Sequence, residues 1–237
     1  MGGPLPAPDA PLPQGEEKVR AVRAMFDAIA PRYDLVNRVM TFGMDVGWRR
    51  RSVAALGLAP GSRVVDLASG TGDFCVELAR GGLRPVSVDL SAGMLGADRS
   101  GAPRVQADIL RLPLAAGAVD GATCGFALRN LVELPPFFAE LHRVVRPGGR
   151  IALLDVSRPR QPLVRWGHGV YFGKVVPRIG GWISDPAAYR YLPRSVAYLP
   201  APAELVGWLR AAGFADAERR PLSGGIVQLL VGTRSHR

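Results

Sequence analysis

The chain has 237 residues and 48% hydrophobic content, which suits one substantial globular domain with room for an insertion or a lid. No stretch reaches the roughly 18 uninterrupted apolar residues of a membrane span, and the N-terminus carries proline and acids where a signal peptide would begin with basic residues, so we expect a cytoplasmic protein. The formal net charge of +10 brings nucleic acid and anionic lipid into consideration, but every basic residue except Lys18 and Lys174 is arginine, a skew that codon bias explains equally well.

The first 58 residues divide into a tail and a helical cap. Residues 1–15 are rich in proline and almost uncharged, which predicts a disordered tail. A single domain over residues 16–237 then begins with a helix whose apolar side chains share one stripe, a packing face made of Val19, Val22, Met25, Phe26 and Ile29. Pro31 ends this helix, and two more helical pieces follow that break at Gly43. We expect the cap to cover about residues 16–58.

Strands and helices alternate from residue 63 onwards. The pattern predicts strands over 63–68, 85–90, 104–109, 119–128 and 150–157, with helices from about Asp73, after the capping residue Ser91, and over 136–145. An insertion or lid over about residues 158–200 precedes a helix over 203–213 and two runs, 214–222 and 224–233, that can pair as an antiparallel hairpin at the sheet edge. This order predicts an α/β fold, a doubly wound and mostly parallel Rossmann-like sheet of seven strands.

The ten residues VVDLASGTGD, numbers 64–73, form the most informative motif. A β-branched strand ends at Asp66, and a Gly-Thr-Gly turn at 70–72 lets a ligand approach the backbone closely. The third glycine of the dinucleotide fingerprint is absent, because Cys75 stands at its position. A pyrophosphate cofactor needs that glycine for tight packing of the helix on its strand, which disfavours a nicotinamide-binding fold. S-adenosylmethionine, an adenosine cofactor without phosphates, fits the motif.

Three of the predicted strands end in acids. Asp66 ends the first strand, Asp89 the second and Asp108 the third. Ligands of open α/β sheets bind at the carboxyl ends of the strands. There, Asp89 can accept hydrogen bonds from both ribose hydroxyls, and Asp108 is placed to bind the adenine amino group. A single strand-end acid could be only a helix cap or a turn former, whereas three beside a glycine turn favour a cofactor site.

These motifs together resemble the class I S-adenosylmethionine-dependent methyltransferases. From about residue 18 to residue 233, the chain is similar to the ubiquinone/menaquinone biosynthesis C-methyltransferase family. The segments that carry this resemblance are MFDAIAPRYDLVNRV, DLASGTGDF, DLSAGML, FALRN, RVVRPGGRIALLDVSRP, AYRYLPRSV and LSGGIV. The segments YDLVNR, LRN and YRYLP, in this order, are far more specific than the glycine turn.

The resemblance implies a set of cofactor contacts at the strand ends. They are Asp66, Gly70, Thr71, Gly72, Asp89, Leu90, Met94, Asp108, Ile109 and Gly125. Gly125 replaces a serine that is usual in the family, so only its backbone could serve. The chain also departs from the family at Ala127, usually glycine, at Asp155, usually glutamate, and at Asp45 and Leu230, usually histidines. These departures leave open a paralogue that methylates another small aromatic compound in specialised metabolism.

The resemblance further implies methylation of a ring carbon on a prenylated quinol of the demethylmenaquinol type, in respiratory quinone biosynthesis. Loss of a proton from an adjacent ring hydroxyl makes that carbon nucleophilic, and the cofactor carries the reactive group. We expect Arg129 and Asn130 to hold the hydroxyl oxygen, while water or a carboxylate takes the proton because the guanidinium stays protonated. Tyr33, in the helical cap, would close over the same region.

The insertion is rich in aromatic residues, namely Trp166, Tyr171, Phe172, Trp182, Tyr189 and Tyr191. They suit either an ordinary lid packed on the core or an apolar tunnel for an isoprenoid tail. Arginine clusters at 49–51 and around Arg158, Arg160 and Arg165 could face anionic lipid headgroups. Peripheral contact with the inner face of the membrane and a homodimer therefore stay open.

Other classes of function have less support. The charge suits an RNA methyltransferase, but the chain lacks an Asn-Pro-Pro-aromatic motif after the fourth strand and a separate RNA-binding module, so we expect no nucleic-acid partner. A non-catalytic cofactor-binding regulator is disfavoured by the intact glycine turn and Asp89. The three histidines have no metal-ligand spacing, so we expect no metal. Cys75 and Cys124 lie in apolar elements and are expected to be reduced core thiols.

Overall fold

The computed structural model of the chain describes residues 14–157, 159 and 194–236. The predicted disordered tail up to residue 13 lies outside the described residues, as do residues 158 and 160–193 of the predicted insertion with all six of its aromatic residues. Gln14 and Gly15, which we assigned to the tail, instead cap and begin the first helix.

Seven strands form one sheet, as predicted. They are β1 (Arg63–Leu67), β2 (Arg84–Asp89), β3 (Arg104–Gln106), β4 (Val119–Gly125), β5 (Val145–Val156), β6 (Glu218–Leu222) and β7 (Val227–Thr233). Their order is β3-β2-β1-β4-β5-β7-β6, and every neighbouring pair is parallel except those that involve β7. The predicted closing hairpin of β6 and β7 is thus confirmed, with β6 at the edge.

The helices of the described chain are α1 (Gly15–Ile29), α2 (Tyr33–Met40), α3 (Met44–Leu56), α4 (Asp73–Arg80), α5 (Ala92–Gly96), α6 (Leu134–Val144) and α7 (Pro202–Ala211). Pro31 lies in a short 3-10 turn that ends α1, because proline cannot donate the next helical hydrogen bond. Gly43, at φ 73°, separates α2 from α3 as predicted. The Ser91 side chain caps α5 by accepting a hydrogen bond from the amide of Met94.

Alternate residues of the central strands pack on opposite faces of the sheet. Val65 and Leu67 of β1 belong to a core cluster with Phe137 and Leu141 of α6. Val64, the residue before Val65 in β1, packs in a second cluster with α3 and α4. Because strand side chains alternate, both faces are buried under helices, which makes the sheet doubly wound. Cys75 and Cys124 are free and fully buried, as expected of core thiols, and Cys124 belongs to the first cluster.

Two strands are shorter than predicted. β3 ends at Gln106 because Asp108 folds back into a turn, with its Oδ1 accepting from the amide of Leu110. β4 ends at Gly125 because Phe126 adopts a left-handed backbone conformation with φ 59° and turns the chain away from the sheet. Both early endings open space at the carboxyl edge of the sheet.

Candidate cofactor and acceptor site

A cavity opens at the carboxyl edge of the sheet, where the strand order reverses between β1 and β4. Its empty volume is about 910 Å³, including the part open to solvent, which is within the usual range for small-molecule sites. The loops after β1, β2, β3 and β4 form one side. The helical cap and residues 130–132 form the other, with Val19, Val22, Arg23, Phe26, Tyr33, Asn130, Leu131 and Val132.

Nine of the thirteen predicted site residues line this cavity. They are Tyr33, Gly70, Asp89, Leu90, Met94, Asp108, Ile109, Gly125 and Asn130. The other four, Asp66, Thr71, Gly72 and Arg129, do not line it; they lie behind or beside its wall and make contacts within the protein. Most of the residues predicted at the carboxyl ends of the strands therefore meet at one cavity. The role of each residue depends on where its side chain points.

Asp89 is built to hold a pair of hydroxyl groups. Its Oδ2 accepts the amide of Gly70 at 2.8 Å, and its Oδ1 accepts the amide of Ser91 at 2.8 Å. Each oxygen keeps a further lone pair that can accept from a ligand. Burial raises the pKa of Asp89, although these backbone amides oppose the shift. A partly desolvated carboxylate of this kind gains strongly from two ribose hydroxyl donors.

The glycine turn shapes the floor beneath a nucleoside. Gly70 has φ 57°, and a Cβ atom there would meet only the sulfur of Met94 at 4.0 Å, so the turn leaves the cavity open. Gly72 is required for another reason, since a Cβ atom there would lie 2.3 Å from the Asp98 carboxylate. The Ser69 hydroxyl is buried without a hydrogen-bond partner in the described chain. An orphaned hydroxyl, an open turn and Asp89 together fit the adenosine part of S-adenosylmethionine.

Two acids of the cap dock directly on the cofactor loops. Asp34 accepts a short hydrogen bond from the Thr71 hydroxyl, and Asp27 accepts one from the Ser91 hydroxyl. Asp27 also accepts the amide of Gly93 at 3.1 Å. The Thr71 hydroxyl, which we predicted to contact the cofactor, is therefore used to hold the cap. Sequence reasoning missed this role because the partners are 37 residues apart.

Asn130 and Tyr33 face the cap side of the cavity. Asn130 lines the cavity, and its buried Oδ1 atom has no hydrogen-bond partner among the described residues. A ligand hydroxyl would supply the partner that this atom lacks. Burial raises the pKa of Tyr33, while a hydrogen bond with Asn37 and the positive charge of Arg129 oppose that rise. The Tyr33 hydroxyl consequently stays protonated and able to donate at neutral pH.

Arg129 is the middle residue of the 3-10 turn over Leu128–Asn130, which we call the acceptor turn, and it is buried at 6% exposure. Its Nη1 contacts Asp155 at 2.7 Å and the Phe126 carbonyl at 2.6 Å, and its Nε donates to the Ser195 hydroxyl at 3.1 Å. The Arg129 amide also donates to Asp155. These contacts hold the acceptor turn in place and give the guanidinium a structural role. They do not include the predicted direct contact with a phenolate, which stays a prediction.

Asp66 is buried at 1% exposure below the glycine turn. Its carboxylate accepts the Thr123 hydroxyl at 2.8 Å and lies 3.8 Å from the Cys75 sulfur. Desolvation raises the pKa of Asp66 to about 7. Cys75 in turn lies 3.1 Å from Ser87, so the residue at the third-glycine position helps to form a buried polar chain. Asp66 thus links β1 to β4 through Thr123 and to α4 through Cys75.

The raised pKa of Asp66 predicts a loss of stability as pH rises. The folded state binds the proton more tightly than the unfolded state, so the stability that protonation gives is present at low pH and is lost as pH rises through about 7. Between pH 5.5 and pH 7.5, the gain in unfolding free energy of Asp66→Asn over wild type should grow by about 2 kcal/mol. Urea unfolding at both pH values measures this difference.

Asp120→Asn is the matched control, because the Arg146 guanidinium lowers the pKa of Asp120 and keeps it ionised throughout. Its effect should be the same at both pH values. A difference between Asp66→Asn and wild type that does not change with pH would refute the assignment.

The arginines at 49–51 do not form one basic surface. Arg49 is buried, with Nη1 2.6 Å from Asp45 and Nη2 3.3 Å from Asp73. Arg50 pairs with Glu77 at 3.0 Å. Of the three arginines in the expected lipid-facing cluster, Arg49 is internal, whereas Arg50 and Arg51 are exposed. Asp45, one of the departures from the family, belongs to this ion-pair network.

The departure at Gly125 is also matched by its surroundings. A Cβ atom at Gly125 would lie 2.7 Å from the ring of Phe74 on α4, so any larger residue would displace that ring. Leu230, another departure, is fully buried in β7 and pairs with Leu153 of β5. Gly125 and Ala127 both line the cavity, whereas Leu230 is not among its lining residues.

Comparisons with known sequences give a consistent result. A model of the ubiE/COQ5 methyltransferase family matches residues 14–234. The chain is 44% identical over 225 residues to a ubiquinone/menaquinone biosynthesis C-methyltransferase UbiE of Syntrophotalea carbinolica, covering 90% of this chain and 94% of that protein. It is 40% identical over 235 residues to a demethylmenaquinone methyltransferase of Roseiflexus castenholzii, covering 94% and 97%.

Solved structures support the fold. A Thermotoga maritima S-adenosylmethionine-dependent methyltransferase, described as a possible histamine N-methyltransferase, has a TM-score of 0.64 at 18% identity, covering 90% of this chain and 99% of that chain. A Haemonchus contortus phosphoethanolamine N-methyltransferase 2 in complex with S-adenosyl-L-methionine has a TM-score of 0.57 at 13% identity, covering 78% and 52%. At such identities the likeness extends to the fold alone.

The sheet order and the strand-end cavity define a class I methyltransferase, an enzyme that uses S-adenosylmethionine. The chain belongs to the ubiE/COQ5 methyltransferase family. The predictions of fold class, family and cofactor are confirmed. In the part of the chain that the structure describes, no helix is both long and apolar enough to cross a membrane.

Proposed function

We propose that this enzyme methylates a ring carbon of a prenylated quinol of the demethylmenaquinol type. One observation carries the proposal: the cavity joins a polar nucleoside-binding half to an apolar half, and the unpartnered Asn130 Oδ1 lies in its wall. Relatives named demethylmenaquinone methyltransferase support this class of acceptor. We assign the cofactor to the strand-end half and the quinol to the half under the cap.

The cap supplies the surface for the quinol ring and the start of its tail. Val19, Val22 and Phe26 of α1 line the cavity together with Leu131 and Val132. The stripe that we predicted as a packing face thus divides: Met25 and Ile29 are buried in the core, while its other members reach the cavity. An apolar lining of this kind favours a flat lipophilic acceptor over a charged one.

The residues around the acceptor oxygen orient its hydroxyl group and stabilise the negative charge that remains after the proton has left. When bound, S-adenosylmethionine supplies an electrophilic methyl group. The Asn130 carbonyl oxygen accepts the hydrogen bond of the ring hydroxyl and orients it, and the proton then leaves to water through the open mouth of the cavity. Tyr33 donates a hydrogen bond to the oxygen as negative charge grows there. The nearby positive charge of Arg129 lowers the pKa of Tyr33 and acts in the same direction on a phenolate.

Replacing Asn130 with alanine should lower kcat for a demethylmenaquinol about 30-fold, roughly 2 kcal/mol, because the hydrogen bond that holds the ring hydroxyl in its reactive orientation is lost. The dissociation constant for S-adenosylmethionine should stay within about twofold of wild type, since Asn130 lies on the acceptor side. Steady-state kinetics and calorimetry measure the two quantities. Full turnover in Asn130→Ala would remove Asn130 from the proposed site.

A smaller aromatic acceptor is the second candidate, and Ala127 favours it. The methyl group of Ala127 takes up space in the cavity at a position where a glycine is usual in the family. Deleting the gene separates the two candidates. The quinol proposal predicts that a demethylated quinone accumulates in the lipid extract and that the wild-type gene restores the methylated form. Unchanged lipid quinones would favour the smaller acceptor.

We also propose that the protein meets the membrane surface, because a prenylated quinol resides there. Leu35, Val39 and Met44, at the corner between α2 and α3, are exposed at 58%, 38% and 42% and supply apolar side chains for such contact. A homodimer remains a prediction.

A further inference from the structure

Lys18 is a buried cation that the proposed chemistry does not use. It lies on α1 and is only 3% exposed. Its Nζ donates to the Leu131 carbonyl at 2.6 Å and lies 3.7 Å from the centre of the Tyr198 ring. Within residues 14–157, 159 and 194–236, no carboxylate forms an ion pair with it. A carbonyl and an aromatic face therefore hold this charge, and desolvation lowers the pKa of Lys18 to about 8.

The burial of the Lys18 charge costs free energy, which suggests that the charge has a role. An apolar side chain of similar length would fill the same space without the cost of burying a charge. Lys18 is also one of only two lysines in a chain where the other basic side chains are arginine. A compact ammonium can fit between a carbonyl and a ring where a planar guanidinium fits less well.

Two cations, Lys18 and Arg129, hold the acceptor turn, and both also contact residues of segment 194–200. Leu131 directly follows Asn130, so Lys18 fixes the end of the turn. Arg129 fixes its middle and also contacts Ser195 at 3.1 Å. Ser195 and Tyr198 both belong to the short segment 194–200, the last part of the predicted insertion. The cap, the turn and this segment therefore meet at two cations.

We propose that Lys18 is a positioning residue for the acceptor, which holds the Leu131 carbonyl and the Tyr198 ring so that the Asn130 side chain faces the cavity. The assignment rests on the proposed function. Docking of the cap and of segment 194–200 then sets the acceptor turn, while the cofactor loops after β1 and β2 do not depend on Lys18. Loss of the ammonium should accordingly affect the acceptor and leave cofactor binding unchanged.

The test compares Lys18→Met, which keeps the length but removes the charge, with Lys18→Arg, which keeps the charge. Arg20→Met is the matched control, because Arg20 lies on the same helix, is 70% exposed and pairs with Glu16. Lys18→Met should lower kcat/KM for a demethylmenaquinol about 10-fold, with the dissociation constant for S-adenosylmethionine within twofold of wild type. Lys18→Arg should recover activity to within about threefold of wild type, and Arg20→Met should match wild type.

Hydrogen exchange provides a readout that needs no acceptor. The amides of Asn130 and Leu131 bond to Ala127 and Leu128, and they should exchange about 10-fold faster in Lys18→Met, while the amide of Gly72 should not change. Tyr198→Leu removes the ring but keeps Lys18, and it should give the same pattern of exchange with a smaller increase in rate. This variant tests the proposal even if Lys18→Met folds poorly.

Several results would overturn the assignment. Wild-type exchange and kinetics in Lys18→Met and Tyr198→Leu would do so. Equal loss of cofactor binding and turnover, with no recovery in Lys18→Arg, would show a general structural role and would also overturn it. If the wild-type enzyme does not methylate the quinol, the proposed function fails, and the exchange of Asn130 and Leu131 still decides whether Lys18 holds the turn.

Discussion

Replacing Asp89 with alanine is expected to weaken S-adenosylmethionine binding by roughly 100-fold or more. The variant loses the carboxylate that can accept both ribose hydroxyls, and each hydrogen bond to a charged group is worth about 1.5 to 3 kcal/mol. It also leaves the amides of Gly70 and Ser91 without their partner, so the two cofactor loops lose their common anchor. Calorimetric titration with S-adenosylmethionine measures the effect.

Asp120→Ala is the control for this variant. Asp120 lies at the amino end of β4, where it contacts Arg146 and the amide of Arg63, on the far edge of the sheet from the cavity. Its removal should leave the dissociation constant within about twofold of wild type. An Asp89→Ala dissociation constant within threefold of wild type would mean that the nucleoside does not bind at this strand end.

Replacing Arg129 with glutamine is expected to cost about 3 to 5 kcal/mol of unfolding free energy. Asp155 has no exposed surface, and the change leaves its carboxylate buried without a counter-ion. The loss of activity in such a variant would follow mainly from loss of the folded acceptor turn. This expectation differs from a direct catalytic role, in which turnover would fall while stability stayed near that of wild type.

The double variant Arg129→Gln with Asp155→Asn separates the two roles. Neutralising both partners removes the stranded charge, so most of the lost stability should return. Chemical denaturation of wild type, both single variants and the double variant gives the coupling energy between Arg129 and Asp155. A single variant Arg129→Gln with wild-type stability would show that the pair is not structural, and direct contact with the acceptor oxygen would then regain support.

The order of elements and the location of the site were predictable from local patterns. Consecutive apolar residues such as Val64 and Val65 define a strand buried on both faces, and the acids at strand ends mark the carboxyl edge where ligands bind. Asp89, predicted as a cofactor contact, lines the cavity, and its contact with the ribose hydroxyls stays a prediction.

The roles of Thr71, Asp66 and Arg129 were not predictable in the same way. Each is a polar residue in a site motif, but its partner is distant in sequence: Asp34, Thr123 and Asp155 are 26 to 57 residues away. Such pairs form only when the cap and the neighbouring strands have packed, so a motif identifies the residue without showing which way its side chain points.

Lys18 and Phe126 illustrate the limit most clearly. Lys18 carries a charge on a helix near the N-terminus, where a solvated position is the ordinary expectation, yet packing of Tyr198 and the turn at Leu131 bury it. Phe126 adopts a positive φ that its residue type does not favour, so the end of β4 is set by surrounding structure. Neither feature has a signal in the local sequence.

The most direct test of the central claim is transfer of an isotope-labelled methyl group. The enzyme would be incubated with S-adenosylmethionine that carries a 13C methyl group and with a reduced demethylmenaquinone, and the product would be examined by NMR. The proposed function predicts a 13C methyl group bonded to a ring carbon, with the label lost in Asp89→Ala. A label on oxygen, or transfer to small phenols with none to the quinol, would contradict it.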